Sequence, residues 1–93
     1  MKKFFYRAKK SDSVISVSKK FGVPTFCLIE DNSLTCEIQE GDILLIIKRE
    51  KTYVVKANET LETVAEKLDV SPEKLSFING KISYVFYGLI LTY

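Results

Sequence analysis

Hydrophobic and polar positions follow two periods along this chain, and the succession of periods is written twice. Over residues 52–56 the chain is β-branched and aromatic, with Tyr53 and Val55 on one face and Val54 on the other, the two-residue period of a short strand. Ala57-Asn58-Glu59-Thr60 then turns the chain and offers a helix cap. Leu61, Val64, Ala65 and Leu68 fall at i, i+3, i+4 and i+7, which predicts one apolar helical stripe with Glu62, Glu66 and Lys67 off it. Ser71-Pro72 restarts a helix, Leu75 and Ile78 face inward, and Asn79-Gly80 ends it. A loop over 81–87 leads past Gly88 to a last apolar strand at 89–92.

The first half runs the same course. Its strand is predicted at 4–8 and its first helix at 13–21, with Val14, Val17, Ser18 and Phe21 inward and Gly22 closing it. A second helix follows at 24–30, and a strand at 43–47 after Gly41. The halves align without a gap at a spacing of 47 residues, with ten identical pairs, among them Tyr6/Tyr53, Val17/Val64, Leu28/Leu75, Asn32/Asn79 and Gly41/Gly88. A fixed period of this length means two copies of one small structural unit. The expected fold class is α+β: two βααβ units, each a two-stranded antiparallel sheet with two helices packed on one face. The units are predicted at 1–47 and 52–93, joined by a short charged linker over 48–51. Four residues reach about 13 Å at most, so the units are close neighbours.

Composition narrows the function. Apolar content of 46% and charged content of 28% are those of an ordinary globular chain. A net charge of +2 is too small to imply nucleic acid. Residues 2–20 hold seven Lys or Arg against the single acid Asp12, which reads as a solvated basic edge rather than a polyanion site. No apolar run approaches the roughly 18 residues of a membrane span. The three-residue apolar run of Phe4-Phe5-Tyr6 is too short for a signal peptide core, so the expected location is cytoplasmic as encoded, with spore or cell-wall association as the other prospect. With no histidine, His-dependent catalysis and most zinc sites fall away, and neither a metal nor a cofactor is expected. Cys27 and Cys36 have no counterparts in the second half and are expected to be reduced thiols, Cys27 as an apolar filler.

Three stretches carry a family resemblance: Tyr53-Val54-Val55-Lys56, Asn58-Glu59-Thr60-Leu61-Glu62-Thr63-Val64-Ala65, and Val70-Ser71-Pro72-Glu73-Lys74-Leu75 followed by Ile78-Asn79-Gly80. In the first half, Ile38-Gln39-Glu40-Gly41-Asp42-Ile43-Leu44 adds a closing motif. In this order, and duplicated, they resemble the LysM domain. The resemblance implies non-catalytic binding of N-acetylglucosamine-containing glycans, peptidoglycan or chitin-type oligosaccharides. It implies a shallow groove between the loop after the first strand and the loop before the last. By position, the first wall is Ser11, Asp12, Ser13 and Val14 in one copy and Asn58, Glu59, Thr60 and Leu61 in the other. The second wall is Glu37, Ile38 and Gln39, and Tyr84, Val85 and Phe86. Backbone N–H groups at a helix start suit an acetamide carbonyl, and two spaced copies gain avidity on a repeating polymer.

Quieter readings stand beside these. Asp12 and Glu59 are expected to cap their helices. Asn32 and Asn79 are expected to bond nearby backbone in a turn. Tyr6 and Tyr53 read as core residues. An acid pair such as Glu37 and Asp42 has no evident common cleft, and an enzyme is not expected. The aromatic segment 84–91 is a sugar platform, a contact with the other copy, or a surface for a protein partner or homodimer. An assembly module that keeps the fold without glycan binding is therefore the alternative function.

Overall fold

A computed structural model of the chain describes residues 2–93. The first unit comprises β1 (Lys3–Arg7), α1 (Val14–Phe21), α2 (Thr25–Asp31) and β2 (Ile43–Ile47); the second comprises β3 (Thr52–Val54), α3 (Leu61–Leu68), α4 (Pro72–Ile78) and β4 (Ile90–Thr92). β1 pairs antiparallel with β2, Lys3 opposite Ile47 and Arg7 opposite Ile43. β3 pairs antiparallel with β4, Thr52 opposite Thr92 and Val54 opposite Ile90. The two sheets are separate, so the architecture is α+β with two βααβ units.

The strands expected at 52–56 and 89–92 stop short at one end each because pairing there becomes irregular. Val55 N–H donates to the Leu89 carbonyl at 2.9 Å and Gly88 N–H to the Val55 carbonyl at 2.9 Å. Ala8 and Gly41 make the matching bonds in the first unit. Gly41 and Gly88 reach these positions at φ of 92° and 88°, a region that strains any residue with a Cβ.

Helix limits follow local chemistry. Ser13 and Thr60 are the N-caps of α1 and α3, each in a reciprocal capping box with Ser16 or Thr63. Gly22 and Asp69 end those helices in the left-handed region. Ser71 caps α4, and Pro72 sits in its first turn. The helix expected from Pro24 begins one residue later, with Pro24 as an N-cap lacking a side-chain bond.

Each unit has its own core. Val17, Leu28, Leu44 and Ile46 are sealed in the first, and Val64, Ala65, Leu75 and Leu91 in the second. Cys27 is buried in the first core, Cys36 is exposed, and both are free thiols. Burial pushes the Cys27 thiol pKa up. Tyr6 and Tyr53 are half-buried at the core margin. Asn32 and Asn79 do more than close a turn. The Asn79 amide Nδ2 donates to the carbonyls of Leu75 (2.8 Å) and Thr92 (2.9 Å), and its Oδ1 accepts from Thr92 N–H (2.9 Å). Asn32 repeats all three bonds on Leu28 and Leu45. One side chain thereby ties the end of the second helix to the last strand.

The units pack side by side in a body of 40 × 26 × 20 Å. Arg49 in the linker forms a two-bond ion pair with Asp31 at the end of α2, at 2.5 and 3.0 Å. The Phe26 ring of α2 lies over Gly80, so close that a Cβ there would sit 2.6 Å from a ring carbon. Phe86 to Leu89 share a crevice with Ile15, Lys19 and Thr25 of the first unit. Of the three roles expected for the aromatic segment, contact with the other copy is thus present at 86–89.

Asn79→Ala is expected to lower unfolding stability by about 2–3 kcal/mol, because it strands a strand N–H and two carbonyls next to a buried site. Denaturant unfolding followed by circular dichroism measures this; a loss below about 0.5 kcal/mol would contradict the staple role.

Candidate functional site

The loop after each first strand is built around one acid. Asp12 Oδ2 accepts from the Tyr6 hydroxyl at 2.5 Å and from Lys9 N–H at 2.8 Å. Glu59 accepts from the Tyr53 hydroxyl at 2.7 Å, Lys56 N–H at 2.7 Å and Lys67 Nζ at 2.9 Å. These carboxylates were expected to cap the following helix. Instead Ser13 and Thr60 cap, and the acids turn back to fasten the loop to the first strand. The Lys56 N–H, then the Lys67 ammonium and the Tyr53 hydroxyl, hold the Glu59 carboxyl down at about 2. The Tyr6 hydroxyl and the Lys9 N–H lower Asp12 in the same way, and the Asp12 carboxylate raises Tyr6 in return.

The loop backbones differ. Asn58 adopts φ of 68°, whereas its counterpart Ser11 is not among the positive-φ residues. Asn enters the left-handed region more readily than Ser; both loops nevertheless close with the same turn bond, Asp12 N–H to the Lys9 carbonyl at 3.0 Å and Glu59 N–H to the Lys56 carbonyl at 3.3 Å.

The two walls meet at a set of backbone donors, and here the copies part. In the first unit Glu37 Oε1 accepts from Val14 N–H at 2.7 Å and from Ile38 N–H at 3.0 Å. One carboxylate oxygen therefore joins the helix start of the first wall to the second wall. Asp42 Oδ2 accepts from Gln39 N–H at 2.8 Å. In the second unit the positions of Glu37 and Asp42 are Tyr84 and Leu89, which offer no carboxylate. Among the described residues no protein group accepts from the N–H of Leu61, Val85 or Phe86, the counterparts of Val14, Ile38 and Gln39. The acids Glu37 and Asp42 are each engaged with backbone rather than facing one cleft.

The remaining wall residues sort by exposure. Ser11, Glu37, Gln39, Asn58 and Thr60 are exposed, and Ile38 is buried in the core. Val14 and Leu61 are buried helix starts, while Val85 packs on the second core. Val14 and Glu37 edge an apolar crevice of about 390 Å³ with Ile15, Ile29, Leu34 and Cys36. Tyr84 and Phe86 stand exposed with ring centres 6.2 Å apart. The Glu37 bridge and the Gln39–Asp42 bond were not foreseen. Their signal was the mismatch of Glu37 with Tyr84 and of Asp42 with Leu89 in an otherwise aligned repeat. Among the described residues no group of three or more His, Cys, Asp or Glu is placed to hold a metal ion, and no helix is long and apolar enough to cross a membrane.

The LysM domain family model matches residues 6–46 and 53–84, most of the chain and once in each unit. The chain belongs to the LysM domain family. LysM is a binding module whose general ligands are N-acetylglucosamine-containing glycans such as peptidoglycan. The second LysM match ends at 84, although the unit's last strand lies at Ile90–Thr92. Two solved structures resemble this tandem LysM chain. One is the spore cortex-lytic enzyme SleL of Bacillus megaterium QM B1551, with 27% identity over 96% of this chain and a TM-score of 0.48. The other is the spore cortex-lytic enzyme SleL of Bacillus cereus, with 21% identity over 99% and a TM-score of 0.49. This LysM chain spans 22% of the length of each. Comparison with curated proteins finds no match.

The Glu59 cluster sets an acid dependence. Its folded pKa of about 2 lies below the ordinary 4.5. Its contribution is therefore full above 4.5 and is lost as pH falls from 4.5 towards 2. Glu59→Gln is expected to flatten the fall in melting temperature across that window, relative to wild type. Parallel pH profiles for the two proteins would contradict this.

Proposed function

We propose that the chain is a non-catalytic binder of N-acetylglucosamine-containing glycans, peptidoglycan or chitin-type, through the shallow grooves between the two loop walls. The observation that carries the reading is the donor pair at the wall junction. In the first unit a single oxygen lies within hydrogen-bonding distance of both walls, at 2.7 Å from Val14 N and 3.0 Å from Ile38 N. The repeat gives the second unit the same two donors on Leu61 and Val85, with no protein acceptor among the described residues. An acetamide carbonyl is a neutral oxygen acceptor of the same reach, and buried or half-buried N–H groups favour a ligand that satisfies them. Phe86 and Tyr84, exposed beside these donors, supply flat apolar surface for a sugar face.

A shallow groove gives weak contacts at each sugar. Affinity is expected to rise with oligosaccharide length as further sugars reach the aromatic pair. The units at 1–47 and 52–93 act on this reading as one rigid body through the 48–51 linker. The second reading, a protein-assembly module, is favoured by the exposure of Tyr84 (69%) and Tyr87 (77%) on the same loop.

Amide NMR titration with N-acetylglucosamine oligomers of increasing length tests the proposal. Shifts at 58–61 and 84–86 that grow with oligomer length are expected, and Thr60→Ala with Val85→Ala, or Phe86→Ala alone, is expected to weaken them. No shifts with chitin-type oligomers or soluble peptidoglycan fragments would favour the assembly reading.

A further inference from the structure

We infer that Glu37 is an internal occupant of the first groove, and that this one residue decides which copy accepts an acetamido sugar. The inference rests on the glycan-binding reading and adds to it a division between the repeats.

The first groove retains most of what a ligand needs. Its two walls converge, and an apolar crevice edged by Ile15, Ile29 and Leu34 opens beside them. Its donors are occupied. The Glu37 carboxylate holds both Val14 N–H and Ile38 N–H, and Asp42 holds Gln39 N–H. A charged acceptor makes the stronger bond to an N–H. An incoming neutral carbonyl therefore exchanges a charge-assisted bond for an ordinary one and must expel the carboxylate as well.

Glu37 is also favoured where it lies. α1 carries no acid in its first turn, and Glu37 brings a negative charge to that helix start from across the groove. α3 has Glu62 in its own first turn and requires no such visitor. Tyr84 in the position of Glu37 then leaves the second groove with free donors and an aromatic wall. The two copies keep one fold and differ at the atom where a ligand oxygen would sit. Repeat two takes the acetamide, and repeat one is closed to it by its own side chain.

The test exchanges the two side chains and reads each repeat separately by amide NMR, with an N-acetylglucosamine tetrasaccharide as the probe. In wild type, shifts are expected at Leu61, Val85 and Phe86 and not at Val14 or Ile38. Glu37→Ala, and Glu37→Tyr as the version that copies repeat two, are expected to bring shifts to Val14 and Ile38. Glu37→Gln keeps an oxygen acceptor and is expected to stay closed. Tyr84→Glu is expected to weaken binding in repeat two about tenfold or more, the loss of two neutral hydrogen bonds. Amide exchange gives a ligand-free readout: Val14 N–H is expected to exchange more slowly than Leu61 N–H in wild type, and to lose that protection in Glu37→Ala. Wild-type shifts of equal size in both repeats, or Tyr84→Glu binding like wild type, would overturn the inference while leaving glycan binding intact. Absence of shifts in either repeat of every variant would overturn the glycan reading and the inference together.

Discussion

Each unit is closed by an asparagine side chain. A βααβ unit of about 45 residues is near the size at which a single core gives little margin. Its two strands are far apart in sequence, and only side chains hold the helices against them. Asn32 and Asn79 answer both problems. Each bonds the helical carbonyl four residues before it and both backbone groups of a strand residue 13 positions on. The helix end cannot drift from the strand without stranding polar groups in an apolar setting. The loop between them carries the second wall, so the same three bonds that complete the fold set the height of one wall against the other.

The first wall is fixed by a different device. A tyrosine on the first strand, an acid in the turn and a lysine on the helix lock together in both copies, with Lys67 paired to Glu59 and Lys20 near Tyr6 at 3.4 Å. The cluster is exposed enough that the ion pair itself contributes little in salt solution. Its value is geometric: the turn acid bonds the strand end and so fixes where the helix begins. With both walls set by internal geometry that recurs in the two copies, the groove can diverge at its rim without disturbing the fold, and Glu37 against Tyr84 is that divergence.

Much of this was legible in the sequence. The 47-residue spacing located eight elements, most of them to within one or two residues, because core positions such as Val17/Val64 and Leu28/Leu75 repeat with the packing they serve. Tyr53, Val55 and the stripe of Leu61, Val64 and Ala65 face inward as their periods require. What failed were side-chain partners. Asp12 and Glu59 sit where a capping residue belongs, and a Ser or Thr one position later is an equally good cap. Only the reach of the tyrosine hydroxyl decides between them. The Asn side chains bond residues 13 positions away, which no local turn rule anticipates. Glu37 was assigned to a wall from its position alone, and its bond to Val14 spans 23 residues. The Phe26 contact with Gly80 crosses between units and has no trace in either copy alone.

That last contact bears on how long such an array can grow. The units meet head to tail: α2 of the first presents Phe26, and the second receives it at Gly80. Surfaces of this kind do not cancel by symmetry, and identical copies would go on stacking into a filament. The place of Phe26 in the second copy is taken by Glu73, and the place of Gly80 in the first by Ser33. Neither copy thus repeats the other's half of the contact: the second lacks the ring and the first lacks the notch, so this pairing is particular to the order in which the two units stand.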